Sequence, residues 1–300
     1  MFGVILVIFL CNIALALGKI IIGISIQALS MISDGLHSGL DAVSNIMGLA
    51  GIKISEKPPD FDHPYGHQKF EVFAAMAISV FMGVTCFEII LNILHRLKHP
   101  QIMPKPTLMA LGIMIISMGL NLMMSWYERK KGNQYNSQYL WADSAHVGTD
   151  FLASVSVLVA LIISKLHWGN IDVIVSGWIV IIILRSAYQI VTQSLQILSD
   201  HSVLDPASVA SLVTNIPGII SCHKVRSRGM PGNIFIDLHI QVPAQLTVKR
   251  SHQLAHQVVA VIKEKIAGVN EVWVHTEPAK QSDYVNRQKI SKIKRTSKTV

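Results

Sequence analysis

The stretch "SDGLHSGLD", residues 33–41, places two carboxylates and an imidazole inside sequence that is otherwise strongly apolar. It is preceded by SIQALSMI and followed by AVSNIMGLAGI, so Asp34, His37 and Asp41 lie where water is scarce. On a helix, positions i, i+3 and i+7 form one stripe. A charged side chain near the centre of a bilayer costs about 2.5–3.5 kcal/mol, and such residues are functional by default. The stretch therefore predicts a functional polar stripe on a transmembrane helix.

The composition supports a membrane setting for this stripe. The 300 residues are 51% hydrophobic and 15% charged, and the mean hydropathy is +0.45, whereas soluble domains carry about 25% charged residues. Six apolar runs come close to the roughly 20 residues that cross a bilayer. These runs cover residues 2–24, 27–53, 70–94, 107–127, 138–164 and 171–192. We expect the first run to be a transmembrane helix, because it has no small-residue site for signal-peptide cleavage.

The fifth run repeats the pattern of the second. "ADSAHVGTD", residues 142–150, again gives D-x-x-H-x-x-x-D, with a glycine two residues after the histidine in both copies. Small residues at these positions, Gly39 and Gly148, let transmembrane helices approach closely. Facing stripes combine two imidazoles with carboxylates, and such a set suits tetrahedral Zn²⁺. The four predicted ligands are His37, Asp41, His146 and Asp150. Alternatively, these polar groups pair only to hold the second and fifth helices together.

Asp34 and Asp143 lie one turn away from each His/Asp pair. For these two carboxylates, an entrance vestibule and a role in helix pairing are equally open. The loop after the second run, "EKPPDFDHPYGHQKFE", gathers oxygen and imidazole ligands within a few residues, and these can hold a second cation. The ligands of that loop are Asp60, Asp62, His63 and His67. An ordinary polar, proline-rich turn is the alternative.

From about Leu204 the pattern changes to a more polar, alternating sequence. It predicts a helix opened by Asp205-Pro206, two strands separated by a Gly-Met-Pro-Gly turn, an amphipathic helix and a last strand. This order makes a small open α/β sandwich with one sheet. We therefore expect a transmembrane domain over residues 1–200, a cytoplasmic α/β domain over 201–280 and a basic, disordered tail over 281–300.

The charge of the chain limits the classes of partner. The net charge of +8 is concentrated in the tail, which fits either an anionic lipid surface or a solubilising segment better than nucleic acid. Lysine and arginine in the short loops weakly favour cytoplasmic N- and C-termini. The three cysteines form no CxxC pair, which indicates neither a disulfide framework nor a thiolate zinc site.

Four motifs in order, SDGLHSGLD, HPYGHQKFE, ADSAHVGTD and the series CHKVRSR, DLHIQV, SHQLAHQVV and VHTEP, resemble the cation diffusion facilitator family, most closely its bacterial type. The resemblance implies an α-helical membrane protein of six transmembrane helices with a C-terminal cytoplasmic α/β, metallochaperone-like (ferredoxin-like) domain. It implies a homodimer in the plasma or inner membrane that exchanges Zn²⁺ from the cytoplasm for protons, and not an enzyme. The cytoplasmic domain would sense metal.

The resemblance also carries site residues onto this chain. It implies an intramembrane site at His37, Asp41, His146 and Asp150; a loop site at Asp60 and His67 with His63 close by; a cytoplasmic site at His223, His239, His252, His275 and Glu277; and a dimer contact between Lys69 and Asp200. The family often has aspartate where Glu277 stands. Histidine at position 37 resembles the zinc-preferring members, since some relatives that also handle iron or cadmium have aspartate there.

Three rival interpretations remain open. The first is a transporter that prefers Fe²⁺, Mn²⁺, Co²⁺ or Cd²⁺. The second is a membrane metalloenzyme, which the lack of an HExxH motif and of an open zinc position disfavours. The third is a metal-responsive receptor that binds without transport.

Overall fold

The computed structural model describes residues 2–25, 29–98, 108–164 and 171–280. The chain divides into two compact units, one up to Leu195 and the other from Gln196 onward. The basic tail predicted over 281–300 lies outside the described residues. Each unit is described by itself below.

The described part of the first unit consists of long helices and the loops between them. They are α1 (Phe2–Ser25), α2 (Leu29–Ser55), α3 (Lys69–Lys98), α4 (Leu108–Tyr135), α5 (Gln138–Ser164) and α6 (Ile171–Leu198). Each corresponds to one predicted apolar run; the first residues of the runs 27–53 and 107–127 lie outside the described residues. Within the described ranges, three helical segments are long and apolar enough to cross a membrane: Phe2–Ile22, Lys69–His95 and Ser176–Leu198. The others, α2, α4 and α5, carry more polar side chains.

Two helices, α4 and α6, extend furthest beyond the C-terminal ends of their apolar runs. The run predicted over 107–127 continues as α4 to Tyr135, and the run over 171–192 continues as α6 to Leu198. The added residues of α4 include Glu, Arg, Lys and Gln, which have good helix propensity although they are polar. An apolar run therefore marks the part of a helix that suits lipid and not the point where the helix ends.

The helices α2 and α5 come into contact where the ring of Tyr139 on α5 packs against Gly48 on α2, which has no side chain. A Cβ added to Gly48 of α2 would lie 2.0 Å from Cζ of Tyr139 on α5. The fully buried Tyr139 places its hydroxyl 3.2 Å from Oδ1 of Asn45 and 3.3 Å from the carbonyl oxygen of Ser44. This contact fixes the height of α5 relative to α2.

The glycines that were expected to allow close helix approach behave differently from one another. A Cβ on Gly148 would touch Oγ of Ser125 at 3.4 Å, but one on Gly39 meets nothing within 4 Å among the described residues. Instead, a Cβ on Gly51 would lie 2.6 Å from Cβ of Ala74. On the α2 side, the close approaches thus occur at Gly48 and Gly51.

A buried carboxylate joins the start of α3 to the start of α5. Glu71, in the first turn of α3, accepts a hydrogen bond from Oγ of Ser137 and another, of 3.1 Å, from the backbone N–H of Tyr139. The first N–H groups of a helix lack partners within the helix, and the helix dipole favours an anion there. Glu71 therefore caps α5 from another helix.

The second unit has the predicted order of helix, strand, strand, helix and strand. Its elements are α7 (Pro206–Thr214), β1 (Ser221–Met230), β2 (Asn233–Val242), α8 (Val248–Lys265) and β3 (Val269–Pro278). The sheet order is β1-β2-β3, with β1 antiparallel and β3 parallel to β2. The parallel pair requires a crossover, which α8 supplies. Asp205 caps α7 by accepting from the N–H groups of Ala207 and Ser208.

The core of this unit follows from two periodicities. Alternate residues of β2, among them Ile236, Leu238 and Ile240, are fully buried against Val258 and Ile262 of α8. The other face of β2 is left for polar side chains. Asp237 and His239 are placed on that face by the same alternation.

Candidate metal centre

A buried histidine of α5 contacts a carboxylate on each of two helices. Nε2 of His146 lies 3.3 Å from Oδ1 of Asp41 on α2 and 3.8 Å from Oδ2 of Asp150 on α5. The side chains are 2% (His146), 18% (Asp41) and 9% (Asp150) exposed. One ligand atom from each residue lies within 4.8 Å of the others, so these residues can hold a single cation. They are termed the intramembrane cluster.

Helical spacing explains why these groups converge. On α5, Tyr139, His146 and Asp150 follow one stripe at i, i+7 and i+11, and on α2, Asp41 and Gly48 are i and i+7. The contact between Tyr139 and Gly48 therefore lies on the same two stripes as the cluster. Packing about two turns away sets the distance between the ligands of α2 and those of α5.

Two buried polar atoms, one in this cluster and one on the neighbouring Asp143, lack a hydrogen-bond partner among the described residues. Nδ1 of His146 and Oδ2 of Asp143 have no hydrogen-bond partner in the described part of the chain. Leaving a buried polar atom unsatisfied costs about 1–3 kcal/mol, and such atoms in native structures call for an explanation. A bound cation, or the water that accompanies it, would provide these atoms with partners.

Two predicted residues of α2 are the ligand His37 and, at the start of the polar stripe, Asp34. The side chains of His37 and Asp34 lie outside the described residues, although the backbone of α2 continues through both positions. Next to His37, Ser38 accepts a hydrogen bond of 3.0 Å from the ammonium of Lys19, a buried residue of α1. The sequence analysis assigned no role to Lys19. Its signal in the sequence is that it is a single basic residue within the first apolar run.

A second residue that the sequence analysis did not single out is Glu128 of α4. Its side chain is 0% exposed. It lies close enough to Asp143 and Asp150 for their charges to repel one another. The signal that could have found it is its position directly after the apolar run that ends at residue 127.

The loop between α2 and α3 forms a second, more exposed group, termed the loop cluster. Oδ1 of Asp60 accepts a 2.7 Å hydrogen bond from the backbone N–H of His63, and Oδ2 of Asp60 lies 3.3 Å from Nε2 of His67. The two imidazole rings are 4.3 Å apart. Their ligand atoms and a carboxylate oxygen of Asp60 again lie within 4.8 Å of one another. The turn depends on Gly66, whose φ of 88° suits glycine.

The charge of Asp60 is stabilised by its surroundings. The backbone hydrogen bond from His63 is the largest cause of a pKa of Asp60 below its usual value, and nearby imidazoles add to the effect. A carboxylate that remains ionised is ready to bind a cation. Asp62, which the sequence analysis also noted in this loop, is not part of the cluster.

The third group, termed the sheet cluster, lies across the sheet of the second unit. Strand register aligns His239 of β2 with His223 of β1 on one side and with His275 of β3 on the other. The three imidazoles thus form a row across the sheet. The alternation within each strand gives the face of each histidine, but the row follows only when the register between the strands is also known. Lys224, with a φ of 50°, lies in the bulge that follows His223. Bulges commonly redirect a side chain next to a functional site.

Glu277 of β3 joins this row. Its Oε1 lies 2.7 Å from Nδ1 of His239 and its Oε2 lies 3.3 Å from Nε2 of His223. The hydrogen bond with His239 is the main cause of a pKa of Glu277 below its ordinary value. His223, His239 and Glu277 can together hold one cation, and Nε2 of His275 lies 3.8 Å from Oε1 of Glu277.

Two other predicted sites are placed apart from these groups. His252 does not join the sheet cluster, since its Nε2 lies 3.0 Å from Nε2 of His256, one turn further along α8. For the predicted dimer contact, Lys69 is the first residue of α3. Asp200 follows α6, with Oδ2 at 3.8 Å from Nη1 of Arg228.

Comparison with known proteins identifies the class. Residues 5–199 match the profile described as the cation efflux transmembrane domain, and residues 204–279 match the cytoplasmic domain of cation efflux proteins. The chain therefore belongs to the cation efflux, or cation diffusion facilitator, family of membrane transporters. This confirms the predicted resemblance, together with the fold class of a helical transmembrane domain followed by a cytoplasmic α/β domain.

Individual relatives extend over most of the chain. The uncharacterized transporter MJ0449 of Methanocaldococcus jannaschii is 31% identical over 89% of this chain and 94% of its own length. The manganese efflux system protein MneP of Bacillus subtilis is 28% identical over 91% and 94%. The cation-efflux pump FieF of Yersinia pestis is 27% identical over 88% and 90%. A solved MamM-CTD variant is 22% identical over 25% of this chain and 89% of its own, with a TM-score of 0.24, too low to define a fold.

Proposed function

We propose that this chain is a divalent metal cation/proton antiporter that exports Zn²⁺ from the cytoplasm. The observation that carries the proposal is the intramembrane cluster, in which Asp41, His146 and Asp150 converge from two helices inside a cation efflux transmembrane domain. Two carboxylates offset the charge of a divalent ion, and His37 on the same stripe as Asp41 supplies the fourth ligand. Four ligands of this kind bind the ion without providing a reaction site.

Protons and metal compete for the same imidazoles. Imidazole binds a metal ion only in its neutral form, so protonation of His37 or His146 expels the ion. A site that opens to the cytoplasm with neutral histidines captures metal, and one that opens to the other side exchanges the metal for protons. The inward proton gradient then drives export of the cation.

The second candidate function differs from the first in the transported cation. Two relatives from Bacillus subtilis are manganese efflux system proteins. Two of the three described ligands of the intramembrane cluster are carboxylates, and oxygen ligands suit Mn²⁺ better than softer donors do. Mn²⁺ is therefore the second candidate substrate, ahead of Fe²⁺, Co²⁺ and Cd²⁺.

The cytoplasmic domain regulates transport in this proposal. The chain acts as a homodimer, with the Lys69–Asp200 contact between copies, and the sheet cluster binds Zn²⁺ when cytoplasmic zinc is high. Support comes from the partly exposed position of His223, His239 and Glu277, where they can exchange metal with solvent. His252, which lies beside His256 and apart from the sheet cluster, stays a separate predicted ligand of the cytoplasmic domain.

The test is metal uptake by the purified chain in lipid vesicles. With a pH gradient imposed across the membrane, Zn²⁺ should accumulate in the wild type and not in His146→Ala, whereas His201→Ala, an exposed histidine outside the clusters, should behave as wild type. A receptor would bind Zn²⁺ without gradient-dependent accumulation, and that result would refute the proposal. Competition with Mn²⁺, Fe²⁺ and Cd²⁺ then ranks the substrates. His37→Asp should broaden the preference toward cadmium or iron; unchanged zinc preference would contradict the role of His37 in selection.

A further inference from the structure

Glu128 is a carboxylate enclosed by protein, and its side chain has no hydrogen-bond partner among the described residues. Its side chain is 0% exposed, and within the described ranges neither Oε1 nor Oε2 has a hydrogen-bond partner. Burying an uncompensated charge costs several kcal/mol. The neighbours that act on it electrostatically are Asp143 and Asp150, which are also acids and make its burial less favourable.

Asp143 presents a matching buried oxygen. It is 1% exposed, and its Oδ2 lacks a hydrogen-bond partner among the residues that the structure describes. Glu128 and Asp143 both lie within about two turns of the short connection between α4 and α5. Antiparallel helices joined by so short a connection bring residues at equal distances from it to the same height. The two carboxylates therefore share one level of the helix pair.

Neutral groups also join α4 and α5 near Glu128. Oγ of Ser125 donates a 2.8 Å hydrogen bond to the carbonyl oxygen of Ser144, and Gly148 leaves room for the same serine. The helices are thus already joined near this level by neutral groups. A purely structural role gives no reason for an ionisable side chain at position 128.

We propose that Glu128 and Asp143 form a second divalent-cation position, next to the intramembrane cluster and closer to the α4–α5 connection. Asp143 lies one turn before His146 on the same stripe of α5, so the two positions are neighbours along one path. The ligands are carboxylate oxygens alone, which favour a hard cation such as Mn²⁺ over Zn²⁺. The proposal rests on the second candidate of the proposed function, transport of Mn²⁺, since it gives that ion a binding position beside the main cluster.

The experiment measures Mn²⁺ binding to the full-length purified protein by the electron paramagnetic resonance signal of free Mn²⁺. Glu128→Gln keeps the shape of the side chain and removes its charge, and Glu56→Gln makes the same change at an exposed residue near the end of α2. We expect Glu128→Gln to lose one bound Mn²⁺ per chain, or to bind it at least about tenfold more weakly. Glu56→Gln should bind as wild type does. Equal number and affinity of bound ions in Glu128→Gln and wild type would overturn the proposal.

A second pair of variants separates this position from the intramembrane cluster. Asp150→Asn should lose the Mn²⁺ bound at the intramembrane cluster. Adding Glu128→Gln to Asp150→Asn should remove a second bound Mn²⁺, the one held by Glu128 and Asp143. If the effect of Glu128→Gln disappears there, Glu128 acts only through the main cluster and the second position does not exist. Glu128→Asp, which retains the charge, should weaken binding less than Glu128→Gln and serves if the latter folds poorly. Normal metal transport by Asp150→Asn would instead refute the proposed function, whatever Glu128→Gln shows.

Discussion

The intramembrane cluster and the sheet cluster use the same two kinds of ligand on different supports. Both combine imidazole with carboxylate, and both have ligand atoms within 4.8 Å of one another. In the first, the side chains project from two helices, and His146 is 2% exposed. In the second, they project from neighbouring strands, and His223 is 36% exposed.

The support determines what each cluster can do. Backbone hydrogen bonds between strands fix the spacing of His223 and His239, so the sheet cluster keeps its geometry whether or not metal is bound. The distance from Asp41 to His146 depends on side-chain packing between α2 and α5. Helices can slide or tilt against each other without breaking their own hydrogen bonds. The helical support suits a site that opens alternately, and the sheet suits one that reports occupancy.

The largest contrast is expected when one carboxylate is removed from each cluster. Asp150→Ala should reduce metal transport by at least about 100-fold, because it removes one of the two carboxylate ligands beside His146. Glu277→Ala should leave most transport intact at saturating metal. Flux into vesicles measures both, and size-exclusion chromatography checks that both variants keep the oligomeric state of the wild type. Equal losses in the two variants would remove the functional distinction between the clusters.

A smaller effect is expected from changing the packing that sets the ligand distance. Gly48→Ala places a methyl group 2.0 Å from the ring of Tyr139, so α2 and α5 must separate. Overpacking of this kind costs about 1–3 kcal/mol, and we expect transport to fall by about 10-fold with all ligands present. Gly83→Ala, where a Cβ meets nothing within 4 Å in the described part of the chain, is the matched control. If thermal stability and flux are the same in both variants, packing does not govern the cluster.

The sheet cluster can be tested by its metal affinity. Glu277→Gln removes the charge but not the size of the side chain that contacts His223 and His239, and zinc affinity at this cluster should fall by about 10-fold. Glu271→Gln changes another exposed glutamate of β3 that lies outside the cluster and should have no effect. Calorimetric titration of the full-length protein measures both. Unchanged zinc binding in Glu277→Gln would show that this carboxylate is not a ligand.

The smallest effect is expected at the loop cluster and depends on pH. Because the pKa of Asp60 is lowered in the folded protein, its charge stabilises the fold above the unfolded value, about 3.9, and this contribution is lost as pH falls through the folded value. Asp60→Asn should therefore lower the melting temperature slightly at neutral pH, and the difference from wild type should shrink below about pH 4. Asp62→Asn is the control in the same loop. A difference that grows on acidification would contradict this assignment.

Sequence predicts the parts of this molecule that depend on local spacing. The D-x-x-H-x-x-x-D repeat located Asp41, His146 and Asp150 because a helix converts spacing into direction. The order of helices and strands in the second unit followed from turn residues and alternation. The row His223, His239 and His275 needed the strand register, which strand patterns alone did not supply.

Features that depend on which helices become neighbours were not accessible in the same way. The sequence favoured close approach at Gly39, whereas Gly48 is the residue that faces Tyr139. A sequence shows where glycines occur, but not which side chain of a neighbouring helix will pack against each of them. Glu128 was missed because the apolar run ended one residue earlier while the helix continued. His252 shares a residue type with the sheet cluster, but α8 places it beside His256.

The cap that Glu71 provides for α5 connects the loop between α2 and α3 to the helix that carries His146. His67 of the loop cluster lies one turn before Glu71, and Glu71 holds the first turn of the helix that carries His146. The first turn of α3 thus connects two clusters that could each hold a cation. A displacement of the loop between α2 and α3 would therefore act, through Glu71, on the first turn of α5.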